Sequence, residues 1–126
     1  MNTELYLRKM QAEDLDRAMA LKNAEGWNQT KKDWLLFLNG RPEFCLVAVA
    51  GDKPVGTVTA IAYQQRLAWI GMMLVDRDYR RNGISRKLMA EIIDRLSGVE
   101  TIKLDATPEG QLVYERMGFI KEYTLL

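Results

Sequence analysis

Residues 74–87, Leu-Val-Asp-Arg-Asp-Tyr-Arg-Arg-Asn-Gly-Ile-Ser-Arg-Lys, run from an apolar strand through a basic turn into an amphipathic helix. The first N–H groups of a helix have no intrahelical acceptor, and the helix dipole adds partial positive charge at that end. Gly83 lets a ligand come close to the backbone, and Arg80, Arg81, Arg86 and Lys87 supply formal charge. The implied chemistry is the holding of a phosphate or pyrophosphate. A basic helix start that merely faces water has the same local sequence, so the surrounding elements must decide between the two.

A second candidate is Tyr114, within Leu112-Val113-Tyr114-Glu115-Arg116-Met117-Gly118-Phe119. A phenol near the end of a short helix can reach over a sheet and give or share a proton. An aromatic that only packs the helix down, with its hydroxyl at the surface, would look the same.

Several other chemistries are excluded. The chain has no histidine, which removes the commonest general base, Ser-His and Cys-His nucleophile pairs and most zinc sites, so no metal is expected. No Gly-Lys-Ser/Thr follows the basic turn, and no Gly-x-Gly-x-x-Gly occurs, which argues against nucleoside triphosphatase and dinucleotide folds.

The net charge of +1 over 126 residues gives no global field toward nucleic acid or a membrane surface, so neither is expected as a partner. The basic turn is a local feature on a neutral background and suits a small anion. The single cysteine, Cys45, lies in an apolar run, which predicts a buried, inert thiol and a reducing, cytoplasmic setting. No apolar run opens the sequence and none reaches the ~20 apolar residues that a membrane span needs, so neither a secretory leader nor a membrane span is expected.

The length predicts one domain over residues 1–126. Residues 4–8 read as a first strand, and 12–24 as a helix with Leu15, Ala18, Met19 and the stem of Lys22 on one face. Gly26-Trp27-Asn28-Gln29 breaks the period. Thr30, with Asp33 three residues on, opens a second helix through Leu38, which Asn39-Gly40 and Pro42 end. Three strands follow at 44–50, 55–63 and 67–75, joined by Gly51-Asp52 and Gln64-Gln65-Arg66, and they read as an antiparallel meander.

The spacing of Ile84, Leu88, Ile92 and Leu96 then predicts a helix over 83–96. A strand at 101–105 follows, then a helix from Thr107-Pro108 to Met117 closed by Gly118, and a last strand at 119–126. The order is β-α-α-β-β-β-α-β-α-β. This is an α/β (α+β) fold with a mixed, mostly antiparallel sheet, helices on both faces and a right-handed crossover through 83–96.

Val75-Asp76, Tyr79-Arg80 and Gly83-Ile84 ahead of a helix resemble motif A of the GNAT superfamily of acyl-CoA-dependent N-acetyltransferases. Of that motif's consensus, R/Q-x-x-G-x-G/A, the segment from Arg80 to Ser85 matches two of the three fixed positions. Val113-Tyr114-Glu115-Arg116-Met117-Gly118-Phe119 resembles the family's later motif, and the element order is the family's order. The resemblance implies acetyl-CoA as co-substrate. Backbone amides from Asn82, Gly83, Ile84, Ser85 and Arg86 would hold its pyrophosphate, with Arg80 and Arg81 nearby. Leu74 and Val75 would pair with the pantetheine amides, the Val75 N–H would polarise the acetyl carbonyl, and Tyr114 would protonate the departing thiolate.

The chain departs from the pattern in three places. Ser85 stands where Gly or Ala is usual, and Arg77 replaces a common proline. The family also has a strand beyond the one containing Gly-Phe, and here the sequence stops at Leu126. The resulting apolar edge is expected either to meet a second copy, giving a homodimer, or to end a shortened sheet.

The acceptor, a small-molecule or peptide amine, is expected against 24–41 and 63–67. Trp27, Trp34 and Tyr63 offer aromatic walls there, Glu25, Asp33 and Glu43 offer charge for an ammonium group, and Glu25 or Asp33 could take its proton. The same sequence fits Trp27 and Trp34 as core anchors and the acids as solvated. The rival readings are an acyl-CoA-binding domain without turnover, motivated by Ser85, and a phosphate- or nucleic-acid-binding module that uses the same turn.

Overall fold

Cys45–Ala50 contains no residue that gains from facing water, and it forms a strand buried at every position (β2). Such a strand needs cover on both sides, and the computed structural model supplies it. The structure describes residues 5–24, 31–40, 42–80, 82–104 and 114–119. The elements are β1 (Leu5–Lys9), α1 (Leu15–Ala24), α2 (Lys31–Gly40), β2, β3 (Lys53–Tyr63), β4 (Leu67–Val75), α3 (Ile84–Arg95) and β5 (Thr101–Leu104). Residues 114–116 are helical.

The sheet order is β1-β2-β3-β4-β5, antiparallel throughout except that β4 and β5 run parallel on either side of α3. Successive side chains of a strand point to opposite faces, so β2 feeds two cores. Leu46, Ala48 and Ala50 join Val58, Ala60, Ala68 and Ile70 beneath Ile84, Leu88, Met89, Ile92 and Leu96 of α3. Cys45, Val47 and Val49 join Leu74 beneath Leu15, Ala18 and Leu21 of α1 and Trp34 of α2. Trp34 is fully buried, so it is a core anchor and not a wall open to an acceptor.

Gly56 lets α3 lie close to the sheet. A Cβ at this position would stand 3.0 Å from Ile84 Cγ2, 3.1 Å from Leu88 Cδ1 and 3.2 Å from Leu74 O. The first turn of α3 is therefore seated on β3.

Within the described residues the expected elements are present with small shifts, and the Thr30 start of the second helix lies outside them. The helix expected from residue 12 begins as a 3-10 turn, Ala12–Asp14, and becomes α-helical at Leu15. Asp14 shapes this entry, because its carboxylate accepts from Gln11 N (2.7 Å) and from both terminal nitrogens of Arg8 (2.7 and 2.8 Å). The second helix runs on through Gly40, two residues past Leu38. α3 begins at Ile84 because Gly83 takes a left-handed conformation, φ 74°, which no α-helix contains. The expected Thr107-Pro108 helix start and all of the last strand except Phe119 lie outside the described residues, and so does the edge expected to meet a second copy. Among the described residues no helix is long and apolar enough to cross a membrane.

Candidate active site

The sheet opens along β4. β5 pairs with β4 only from Leu67↔Thr101 to Ile70↔Leu104, so among the described residues nothing pairs with Gly71–Val75 on that side. On the other side β4 carries a bulge. Thr57 faces Leu74 and Thr59 faces Gly71, which sets Val58 alone against Met72 and Met73.

The extra residue shifts the phase of the strand. Ala68 and Ile70 lie in the α3 core, whereas beyond the bulge Leu74 lies in the opposite core and Met73 and Val75 border the α3 side. Backbone direction changes with the same phase. Asp76 N–H donates to Val55 O at 2.8 Å, toward β3. Consecutive N–H groups of a strand point to opposite edges, so the Val75 N–H is directed at the edge that β5 leaves unpaired.

The turn after β4 is held from inside. The Asp76 side chain accepts from Asp78 N at 2.9 Å and caps the 3-10 turn Arg77–Tyr79. The same carboxylate is paired with Arg17 of α1, whose Nε donates to Pro54 O at 3.1 Å, and Lys53 Nζ lies 3.8 Å away. Asn82 Nδ2 donates to Tyr79 O at 3.0 Å. The chain then reaches Gly83, where a Cβ would meet nothing within 4 Å.

The first bond of α3 runs from Lys87 N to Gly83 O at 3.1 Å. The N–H groups of Gly83, Ile84, Ser85 and Arg86 are thus the four that a helix start leaves without intrahelical acceptors. An α-helix of twelve residues, a left-handed glycine before it and open space beside that glycine make a cradle that fits an anion. Ile84 adds only its backbone, since its side chain is buried in the core, while Ser85 is half-buried and Arg80 and Arg86 are exposed.

Between α1 and the end of β4 lies a cleft of about 270 Å³, lined by Arg17, Ala20, Leu21, Val75, Asp76, Arg77 and Asp78. Leu74, named with Val75 from the sequence, turns its side chain away into the core under α1 and α2.

Tyr114 is half-buried against the core that α3 covers, with its ring edge-on to Phe119 at 6.3 Å and 68°. Its carbonyl accepts from Met117 N (3.0 Å) and Phe119 N (3.1 Å), and Gly118 takes φ 103° to close the turn. Burial pushes the phenol above its ordinary value of 10, so it holds its proton through the neutral range. Burial also pushes the Cys45 thiol up to about 12, reinforced by Glu43, which leaves it inert as expected.

Glu25, Trp27 and Arg81 lie outside the described residues, as does the Asp33 side chain. Tyr63 is exposed at the end of β3. The sequence reading missed the bulge at Met72, the Arg17–Asp76 pair and the buried hydroxyls of Thr57 and Thr59. A signal for the hydroxyls was present, since two threonines alternate within an otherwise apolar strand.

Comparison with known proteins agrees with this fold. The Acetyltransferase (GNAT) family pattern matches residues 4–119. The chain is 28% identical to the uncharacterized N-acetyltransferase YitH of Bacillus subtilis over 90% of its own length and 40% of that protein. It is also 28% identical to human N-alpha-acetyltransferase 30, over 71% of its length and 27% of the relative. The chain thus spans well under half the length of these relatives. Ard1 of Thermoplasma volcanium, 18% identical, shares the fold with a TM-score of 0.85 over 94% of this chain and 84% of that one. The chain belongs to the GNAT family of acetyltransferases.

Proposed function

We propose that this chain transfers an acetyl group from acetyl-CoA to a primary amine by direct attack. The observation that carries the reading is the Val75 N–H facing the edge of β4 that, among the described residues, is left unpaired, one turn of chain before the helix start at Gly83–Arg86. A phosphate-bearing co-substrate held at that helix start would have its extended arm along Gly71–Val75. Acetyl-CoA, when bound, supplies an activated thioester, and the remaining work falls to residues of the chain.

The amides of Asn82, Gly83, Ile84, Ser85 and Arg86, with the charges of Arg80 and Arg81, hold the pyrophosphate. Val75 offers its backbone groups to the pantetheine amides, whereas those of Leu74, expected beside it in that role, face β3, where Leu74 is paired with Thr57. As the amine attacks, negative charge develops on the carbonyl oxygen, and a fixed donor such as Val75 N–H stabilises it there. One such donor is worth roughly 3 kcal/mol in acyl transfer. Tyr114, kept protonated by burial, gives its proton to the departing thiolate. Glu25 is the proposed acceptor of the ammonium proton. No covalent enzyme intermediate is needed, which suits a chain without histidine.

The acceptor is a small-molecule or peptide amine, and the relatives named N-alpha-acetyltransferase favour a peptide N-terminus. The test is release of CoA thiol from acetyl-CoA across a panel of amines and N-terminal peptides. Turnover with at least one acceptor supports the proposal. Tight acetyl-CoA binding without turnover across the panel would favour the binding-domain reading, and absence of binding would overturn both.

A further inference from the structure

Two buried hydroxyls of β3 reach carbonyl groups in the bulged part of β4. Thr57 Oγ1 donates to Met72 O at 2.8 Å, and Thr59 Oγ1 donates to Gly71 O at 3.2 Å. Thr57 and Thr59 are almost wholly inaccessible, so neither hydroxyl can exchange its bond for bulk water. Met72 has φ 52°, a left-handed conformation that a side-chain-bearing residue adopts only when its surroundings hold it there.

The Met72 carbonyl belongs to the peptide unit joining the two residues that share Val58 as a partner. Fixing that carbonyl fixes the rotation of the unit, and with it the point at which the strand changes phase. Two residues further on, Leu74 is back opposite Thr57, and Asp76 N–H is on Val55 O. The Val75 N–H faces the open edge only because the phase has shifted.

We infer that Thr57 is a positioning residue: its hydroxyl, through Met72 O, sets the direction of the Val75 N–H toward the acyl carbonyl. The inference rests on the proposed acetyl-CoA reading. It predicts something that packing alone would not. CoA carries the nucleotide and the arm but lacks the acyl carbonyl, so the Val75 bond contributes to acetyl-CoA affinity and not to CoA affinity.

The experiment is calorimetric titration of acetyl-CoA and of CoA into the wild type, Thr57→Val and Thr57→Ser. Valine keeps the branched shape and removes the hydroxyl, while serine keeps the hydroxyl. The wild type is expected to prefer acetyl-CoA by about fivefold, the worth of one ordinary hydrogen bond. Thr57→Val should lose that preference with its CoA affinity within about twofold of the wild type, and Thr57→Ser should retain the preference. Thr57→Ala carries the same comparison if the valine variant does not fold.

A preference that survives in Thr57→Val overturns the inference. So does its loss in Thr57→Ser, or equal binding of the two ligands by the wild type. Failure of the wild type to bind either ligand overturns the acetyl-CoA reading itself.

Discussion

Ile84 rests directly on Gly56: the space that a Cβ of residue 56 would need is already bounded by Ile84 Cγ2 at 3.0 Å. The first residue of the cradle helix is therefore located by a residue of β3 whose only contribution is having no side chain. Gly56→Ala should push the start of α3 outward. Backbone at Leu74 O, 3.2 Å away, blocks the opposite escape. The expected cost is about 1–3 kcal/mol of stability, with weaker acetyl-CoA binding, read by urea denaturation and titration. A variant as stable as the wild type and equally tight would show that α3 is seated by other contacts.

Gly83 separates conformation from space. Gly83→Val opposes the left-handed backbone and fills the cradle, so both stability and affinity should fall. Gly83→Asn tolerates φ 74° far better and still projects a side chain into the open space. Acetyl-CoA affinity should fall at least about tenfold in both variants, while thermal stability falls chiefly in the valine variant. Unchanged affinity in Gly83→Asn would remove the pyrophosphate from this turn.

Tyr114→Phe should lower kcat by about 10²-fold, the lower range for general acid catalysis, with acetyl-CoA affinity nearly intact. The acid must be protonated, so activity due to Tyr114 falls as pH rises through its folded pKa. Burial raises that value, so its alkaline limb lies above pH 10. An alkaline limb below pH 10 that persists unchanged in Tyr114→Phe would assign the proton to another group.

Arg8 and Asp14 join β1 to the entry of α1. Burial alone would push the Asp14 carboxyl up, but the bonds from Arg8 and Gln11 N and the Arg8 charge hold it below the ordinary carboxylate range. The stability it contributes is therefore present at neutral pH and is lost as pH falls through that lowered value. Asp14→Asn should be less stable than the wild type at pH 7, and the gap should begin to close below about pH 3.9, where the unfolded chain takes up its proton, and be gone once pH has fallen through the lower folded value. A gap independent of pH would assign the loss to shape and not to charge.

The hairpin between β3 and β4 turns through Gln64 and Gln65 at φ 54° and 62°, with Arg66 N–H donating to Tyr63 O at 3.0 Å. Two positive-φ residues suit a type I′ turn, whose preferred second residue is glycine. Gln65→Gly should stabilise the chain by about 1 kcal/mol and raise Tm by about 4 °C in a thermal melt. A lower Tm would mean that the Gln65 side chain holds the turn.

The meander, the crossover and the glycine-led start of α3 were legible because each has a local cause. Gly51-Asp52 and Gln64-Gln65-Arg66 punctuate apolar runs, and Gly83 precedes residues spaced by four. The bulge was not legible. Gly-Met-Met-Leu-Val has no sequence mark for the residue that drops out of register, and only pairing with Thr57 and Thr59 across the sheet fixes it. The Arg17–Asp76 pair was hidden for a related reason, since it joins residues 59 positions apart. Tyr114 was legible as a residue type, but its raised pKa follows from burial against Phe119 and its neighbours, which spacing does not reveal.

The central claim, an anion cradle at the start of α3 beside an acyl-facing N–H on β4, is tested most directly by amide NMR of the ¹⁵N-labelled chain titrated with acetyl-CoA and, separately, with CoA. The account predicts that the Gly83, Ile84, Ser85 and Arg86 amides shift with both ligands, and that Val75 shifts substantially further with acetyl-CoA. Shifts confined to other parts of the chain, or a Val75 response identical for the two ligands, would contradict it.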